Sequence, residues 1–271
     1  MILTPGSVVK ASFRDPNGHL FWQGETLYRQ INPVYVPTYR QLLGSGLYQK
    51  LVDARLLVPH EETSAPESHT SSPGALFIQP EVIPFISYPY EWCFSQLKAA
   101  ALATLQIQEL ALQHGMTLKD ASAYNIQFRG CSPVLIDTLS FEPYREGAPW
   151  VAYRQFCQHF LAPLALMAYV DVRLGQLSRL YIDGVPLDLT SKLLPFSSKL
   201  RFSLLSNIHL HARSQQQYAD NTVSVKDRQI SLFKLRALLD NLKSAVEGLK
   251  WKACSSTWDD YYQDNNYSPQ A

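Results

Sequence analysis

Residues 118–143 read LKDASAYNIQFRGCSPVLIDTLSFEP and hold three oxygen-bearing side chains, Asp120, Asn125 and Asp137. Two short apolar runs lie between Asn125 and Asp137, and the turn-forming residues 129–133 separate these runs, which predicts a hairpin of two strands. Because a hairpin brings its open ends together, we expect the three side chains to converge at one edge of a small sheet. A hard cation and phosphate oxygens would fit among such ligands.

The spacing of these residues resembles the catalytic segment of the protein-kinase and aminoglycoside-phosphotransferase superfamily, in which Asp-x-x-x-x-Asn is followed by a hairpin and a metal-binding Asp. The resemblance implies that Asp120 accepts the proton of an attacking hydroxyl. It also implies that Asn125 and Asp137 hold Mg²⁺ against the phosphates of ATP. The flanks depart from the pattern: Leu118 and Lys119 replace His-Arg or His-Gly, and Thr-Leu follows Asp137 in place of Phe-Gly.

A structural interpretation of the same three residues stays open. Asp120 and Asp137 are also typical of caps at the ends of helices and strands, and Asn125 is typical of a turn. The long helical pattern just before Asp120, together with a short apolar strand on each side of the turn, favours the kinase-like interpretation.

The N-terminal part has the pattern of a small β-meander. Residues 6–31 alternate as strands do, with a strong turn signal at residues 15–18. In a kinase-like fold this meander is a reduced N-lobe, and Arg29 takes the place of the lysine that contacts ATP. Arginine differs from lysine in its planar fork and fixed charge. Asp53 is the candidate, by position alone, for the glutamate that pairs with that lysine.

No glycine-rich, phosphate-covering loop is present, and residues 44–46 (Gly-Ser-Gly) predict a turn between two helices. Residues 59–74 are rich in Pro, Ser, Thr and Glu and predict a loop. Strands are predicted at residues 75–78 and 82–86. The aromatic residues 88–92 follow, where the superfamily has the hinge whose backbone pairs with adenine.

The clearest helix is predicted at residues 92–114, and the pattern after Pro143 is helical, with a strong amphipathic helix at residues 230–251. His209 and His211 are predicted on one side of an extended segment. This is a possible metal pair, although an ordinary hydrogen-bonded or surface pair is favoured because no third ligand is evident.

Together these patterns predict an α+β, protein-kinase-like fold. Its parts are a small β-rich N-lobe with a loop at residues 59–74, a mostly helical C-lobe with the hairpin, and a polar tail; the predicted ranges are 1–90, 91–252 and 253–271.

Composition narrows the classes of function. The 271 residues carry a net charge of +1, so no polybasic surface indicates binding to nucleic acid or an anionic membrane. The four cysteines form no C-x-x-C pair, the N-terminus lacks the pattern of a signal peptide, and no apolar run reaches the length of a transmembrane helix. We therefore expect a cytoplasmic protein.

Sequence words spread over the chain carry a second resemblance, at residues 24–31, 44–57, 117–143, 160–164, 194–195 and 258–262. They are similar to the N-terminal half of a bacterial family of nodulation-protein-related SAM-dependent methyltransferases. That resemblance implies a methyltransferase domain as partner, in cis or in trans. This chain has no Asp/Glu-x-Gly-x-Gly-x-Gly segment, so we do not expect it to bind S-adenosylmethionine itself.

Three functions remain open at this point. The first is a pseudokinase-like module, with an ATP–Mg²⁺ site retained in principle, that assists or recruits substrate for a methyltransferase. The second is an active phosphotransferase that acts on a small molecule or a protein with Asp120 as base. The third is a helical binding protein without a nucleotide site.

Overall fold

The structure, a computed structural model, describes residues 15–66, 73–210 and 229–251. Several predictions from sequence lie outside these residues: the strand before residue 15, the middle of the 59–74 loop, His211, nearly all of the 213–229 loop, and the tail at 253–271. Within the described residues, no helix combines the length and apolar character needed to cross a membrane.

The N-terminal part is a four-stranded antiparallel sheet with the strand order β1-β2-β4-β3. Its strands are β1 (Gly18–Gln23), β2 (Thr26–Ile31), β3 (His60–Thr63) and β4 (Leu76–Pro80). Helices α1 (Val36–Gly44) and α2 (Leu47–Asp53) connect β2 to β3. The glycine turn between these helices is confirmed, because Gly46 has a φ of 78°, a conformation that glycine adopts without steric cost.

Two predictions for this part are wrong. The loop predicted at residues 59–74 begins with strand β3, which pairs with β4 and whose His60 is held by the hydroxyls of Tyr39 and Tyr48. Long-range pairing therefore overrides the polar composition of this stretch. The strand predicted at residues 82–86 is irregular, and most of its apolar side chains, among them Phe85, are exposed.

The C-terminal part begins with the predicted long helix, α3 (Phe94–Gln113), which is confirmed. Four short strands follow it: β5 (Met116–Leu118), β6 (Ile126–Arg129), β7 (Ser132–Leu135) and β8 (Phe141–Pro143). The predicted hairpin is β6-β7, and a second pair, β5 with β8, encloses it. That second pair was not predicted, and it fixes both the entrance and the exit of the segment that carries the candidate site.

The rest of the described chain is mostly helical. The elements are α4 (Tyr153–Phe156), a π-helical turn (Cys157–Leu161), α5 (Ala162–Tyr169), α6 (Leu177–Leu180), α7 (Leu187–Leu193), α8 (Phe202–Leu204), a second π-helical segment (Leu205–Leu210) and α9 (Leu232–Gly248). The extended segment predicted at residues 208–211 is therefore wrong as far as it is described. His209 is buried in the second π-helical segment, and its ring nitrogens lie 2.7 and 2.9 Å from the hydroxyls of Ser191 and Ser198.

One large apolar core joins α2, α3, the hairpin and the later helices, and a smaller cluster lies between α1 and the N-terminal sheet. Leu135 of β7 forms a parallel bridge with Leu57, which ties the hairpin to the chain after α2. The predicted α+β class is confirmed, and the elements follow the predicted order: a small β-rich part comes first, then a long helix, the hairpin and a mostly helical remainder.

Candidate functional site

Asp120 lies two residues after β5, where the pairing of β5 with β8 ends. Its Oδ1 accepts hydrogen bonds from the backbone N–H of Ser122 at 2.9 Å and from Nε2 of Gln155 at 2.8 Å. The other end of the Gln155 amide accepts from the backbone N–H of Ala121 at 2.7 Å. Gln155 therefore orients both the loop and the carboxylate. This role could not be predicted from a local pattern, because Gln155 lies 35 residues further along the chain.

Asn125 and Asp137 meet at the open end of the hairpin through a third residue, Ser140. The side-chain amide of Asn125 donates to Ser140 Oγ at 3.4 Å, and Ser140 Oγ donates to Asp137 Oδ2 at 2.5 Å. The backbone supports the same closure, because the N–H of Ile136 donates to the carbonyl of Asn125 at 2.9 Å. The structure thus brings two of the three predicted site residues together. Asp120 makes its own contacts with Ser122 and Gln155.

A guanidinium lies against the predicted metal ligand. Nη1 of Arg29, on β2, is 2.7 Å from Asp137 Oδ1, and Nη2 is 3.2 Å from Asp15 Oδ2. The Arg29 side chain is 7% exposed and that of Asp137 is 18% exposed. Asp137 Oδ1 also accepts from the backbone N–H of Leu139 at 3.0 Å. Arg29, Leu139 and Ser140 therefore all donate to this one carboxylate.

The acidic partner of Arg29 is not the one suggested by position. Asp53 is exposed, and its carboxylate accepts a hydrogen bond from Gln49, one turn earlier on α2. Asp15 takes the pairing role instead, and its Oδ1 also accepts from the backbone and side-chain amides of Asn17. The sequence pattern predicts only a turn at Asp15. Its contact with Arg29 was not predicted from that pattern.

Tyr35 and Lys119 complete the surroundings of the ion pair. The Tyr35 hydroxyl donates to the carbonyl of Phe141 at 2.6 Å, and Lys119 Nζ lies 4.6 Å from the centre of the Tyr35 ring. Burial, and then the negative charge of Asp137, raise the pKa of Tyr35 far above its ordinary value. The phenol therefore stays protonated and keeps donating to β8.

His159 lies near the carboxylate of Asp120, and its surroundings keep the imidazole neutral. It lies in the first π-helical turn and is buried, with its ring edge-on to that of Tyr124. Burial lowers the pKa of His159 to about 4, against the opposing effect of the carboxylates of Asp120 and Asp183. No group of three or more His, Cys, Asp or Glu side chains with metal-binding proximity occurs among the described residues.

Comparison with known proteins adds one close relative. The chain is 35% identical over 271 residues to nodulation protein NoeA of Rhizobium meliloti (strain 1021), and the match covers 97% of this chain but 56% of NoeA. The chain thus spans little more than half the length of that relative. The similarity supports the nodulation-protein part of the resemblance, whereas the name NoeA mentions neither methyl transfer nor phosphate transfer.

No family model matches the chain. A solved structure of vaccinia related kinase 3 aligns with it over 93% of each chain, at 10% sequence identity and a TM-score of 0.41. A TM-score this low does not establish a shared fold.

Proposed function

We propose that this chain is a kinase-like module that does not transfer phosphate itself. In this proposal it assists, or recruits substrate for, a SAM-dependent methyltransferase that lies on the same or a neighbouring polypeptide. The observation that carries the proposal is the buried ion pair between Arg29 and Asp137.

The ion pair matters because phosphoryl transfer depends on positioning and charge neutralisation, most of which the metal ions supply. Mg²⁺ requires oxygen ligands in nearly octahedral geometry at about 2.0–2.1 Å. Asp137 already accepts hydrogen bonds from Leu139 and Ser140 and is paired with Arg29. A metal would have to displace the guanidinium from Asp137, and the displaced Arg29 charge would lose this partner in a poorly solvated position.

Two observations support a methyltransferase partner: the resemblance to the nodulation-protein-related methyltransferase family, and the length of NoeA relative to this chain. NoeA extends well beyond the part that matches this chain, so a second domain fits on that polypeptide. A kinase-like module beside such a domain would contribute binding surface, not chemistry.

A second candidate is an active phosphotransferase, with Asp120 as base and Mg²⁺ held by Asn125 and Asp137. It is favoured by the geometry of Asp120: Gln155 holds Oδ1, and Oδ2 makes no hydrogen bond within the described parts of the chain, so it could receive a hydroxyl proton. This candidate requires Arg29 to leave Asp137 and contact the phosphates of ATP instead.

Two assays separate these candidates. The first measures ATP turnover with Mg²⁺ or Mn²⁺ in the unmodified chain, Asp120→Asn and Asp137→Asn; the proposal predicts the same background rate in all three. The second measures methyl transfer by the partner methyltransferase with and without this chain, and an increase is expected. Metal-dependent ATP turnover that both substitutions abolish would establish the phosphotransferase. A rate of methyl transfer that is the same with and without this chain would refute the accessory role.

A further inference from the structure

The linker between β4 and α3 is held at Ser87 by a buried side chain of the hairpin. Gln127 lies on β6 and is 3% exposed. Its Oε1 accepts from the backbone N–H of Ser87 at 2.9 Å, and its Nε2 donates to the backbone carbonyl of the same residue at 3.0 Å. The Ser87 hydroxyl accepts from Nε1 of Trp92 at 2.9 Å. Every polar group of Ser87 is therefore bound inside the protein.

Gln127 presents to Ser87 the same pair of hydrogen-bonding groups as the edge of a purine base. A carboxamide offers one acceptor and one donor in a single plane. The edge of adenine offers the same pair, a ring nitrogen and an amino group. Gln127 therefore satisfies the backbone N–H and carbonyl of Ser87 in the way that a purine would, and it does so from the strand that leads into the candidate site.

The ion pair between Arg29 and Asp137 also occupies a polar group with a side chain of the chain itself. Arg29 supplies a positive charge to Asp137 where a divalent cation would supply it. The backbone of Ser87 and the carboxylate of Asp137 are thus both bound by side chains of the chain itself, Gln127 and Arg29, each of them buried.

We propose that Gln127 is an internal ligand of the linker, which keeps purine nucleotides from binding until its paired contact with Ser87 is broken. This inference rests on the proposed kinase-like module. A purine that enters this position must replace two buried hydrogen bonds before it gains any of its own. Removing them in advance should therefore strengthen binding by about 10-fold or more.

The test uses substitutions that change the amide and keep its length. Gln127→Met removes both hydrogen bonds, and Gln106→Met, at an exposed position on α3, is the matched control. Adenosine and ATP, each in the presence of EDTA, are titrated calorimetrically into the unmodified chain and both variants. We expect no measurable heat of binding for the unmodified chain and Gln106→Met, and saturable binding of adenosine and ATP for Gln127→Met.

A second variant keeps the inference testable if Gln127→Met does not fold. Gln127→Glu retains the acceptor for the Ser87 N–H but loses the donor to the Ser87 carbonyl, so it should gain binding more weakly. In the unmodified chain, hydrogen exchange at the Ser87 amide should be slow and should not change when ATP is added at millimolar concentration.

Two results would overturn the inference: adenosine binding to the unmodified chain as tight as to Gln127→Met, or folded variants at residue 127 that gain no affinity. Neither of these two results would refute the proposed accessory function. An unmodified chain that binds ATP without turning it over would refute the internal ligand and leave the accessory role standing. Metal-dependent turnover would refute the proposed function itself.

Discussion

Arg29 and Asp137 are 108 positions apart in the sequence, yet Nη1 of Arg29 lies 2.7 Å from Oδ1 of Asp137. The contact joins β2 of the N-terminal sheet to the residues just after β7. It places a fixed positive charge on the residue that the sequence pattern identifies as a metal ligand. Asp15, from the turn before β1, contacts the same guanidinium.

Removing the guanidinium should cost far more than the loss of a surface ion pair. We expect Arg29→Met to lower the free energy of unfolding by about 3–5 kcal/mol, because it leaves two carboxylates in a poorly solvated position without their counter-charge. Urea denaturation at neutral pH measures this change.

The chain contains a matched control for that experiment. Arg40 and Glu62 also lie 2.7 Å apart, but their side chains are 52% and 39% exposed. Arg40→Met should therefore change stability by no more than about 1 kcal/mol. Equal changes in the free energy of unfolding for the Arg29 and Arg40 substitutions would show that the ion pair with Asp137 stabilises the fold no more than an exposed ion pair does.

A second prediction concerns Gly18, at the start of β1. A Cβ placed there would lie 2.0 Å from the backbone carbonyl oxygen of Gln30 and 3.0 Å from the side chain of Leu139. Because backbone atoms cannot yield cheaply, Gly18→Ala should destabilise the fold by more than about 2 kcal/mol.

The comparison variant is Gly44→Ala, at the end of α1, where a Cβ would meet no atom within 4 Å. That substitution should be neutral or stabilise the fold by up to about 1 kcal/mol. Thermal unfolding of the two variants side by side tests this pair, and a Gly18→Ala protein as stable as Gly44→Ala would refute the predicted close approach of β1 and β2.

A third prediction concerns pH. Burial lowers the pKa of both His60 and His159 from 6.5 to about 4. Between these values the unfolded chain binds protons that the folded chain does not, so stability is present above about pH 6.5 and is lost as the pH falls toward 4. Each histidine contributes a slope of up to about 1.4 kcal/mol per pH unit.

Urea denaturation over this pH range measures the slope, and the two histidines can be separated by substitution. The His159→Gln variant should lose its share of the slope, and the His60→Gln, His159→Gln double variant should lose most of it. A stability that does not change from neutral pH down to pH 4 would contradict the burial of both rings as neutral groups.

The elements that could be predicted from sequence are those with a local signal. The hairpin has apolar runs around a turn, and α3 has a long apolar face that ends at a glycine. Strands β3, β5 and β8 are short, and no tight turn joins them to their partners, so their existence depends on residues distant in sequence.

The residues of the candidate site also fall into two groups, those with a local signal in the sequence and those without one. The pattern of residues identified Asn125 and Asp137, which do meet, and it identified Arg29 as a residue of the site. It could not identify Asp15, Ser140 or Gln155, whose roles come from tertiary contacts, and it attributed to position 53 a pairing that Asp15 makes. Spacing in a sequence indicates candidate ligands, but it does not show which of them are already occupied.

Whether Arg29 holds the cation position is tested by titration with Mn²⁺, followed by electron paramagnetic resonance, in the presence and absence of ATP. If the Arg29 guanidinium holds the cation position, the unmodified chain should bind no stoichiometric Mn²⁺ under either condition. Arg29→Met, provided that it folds, should gain a site that Asp137→Asn removes. One tightly bound Mn²⁺ per unmodified chain, lost on Asp137→Asn, would show that Arg29 does not keep a cation from Asp137.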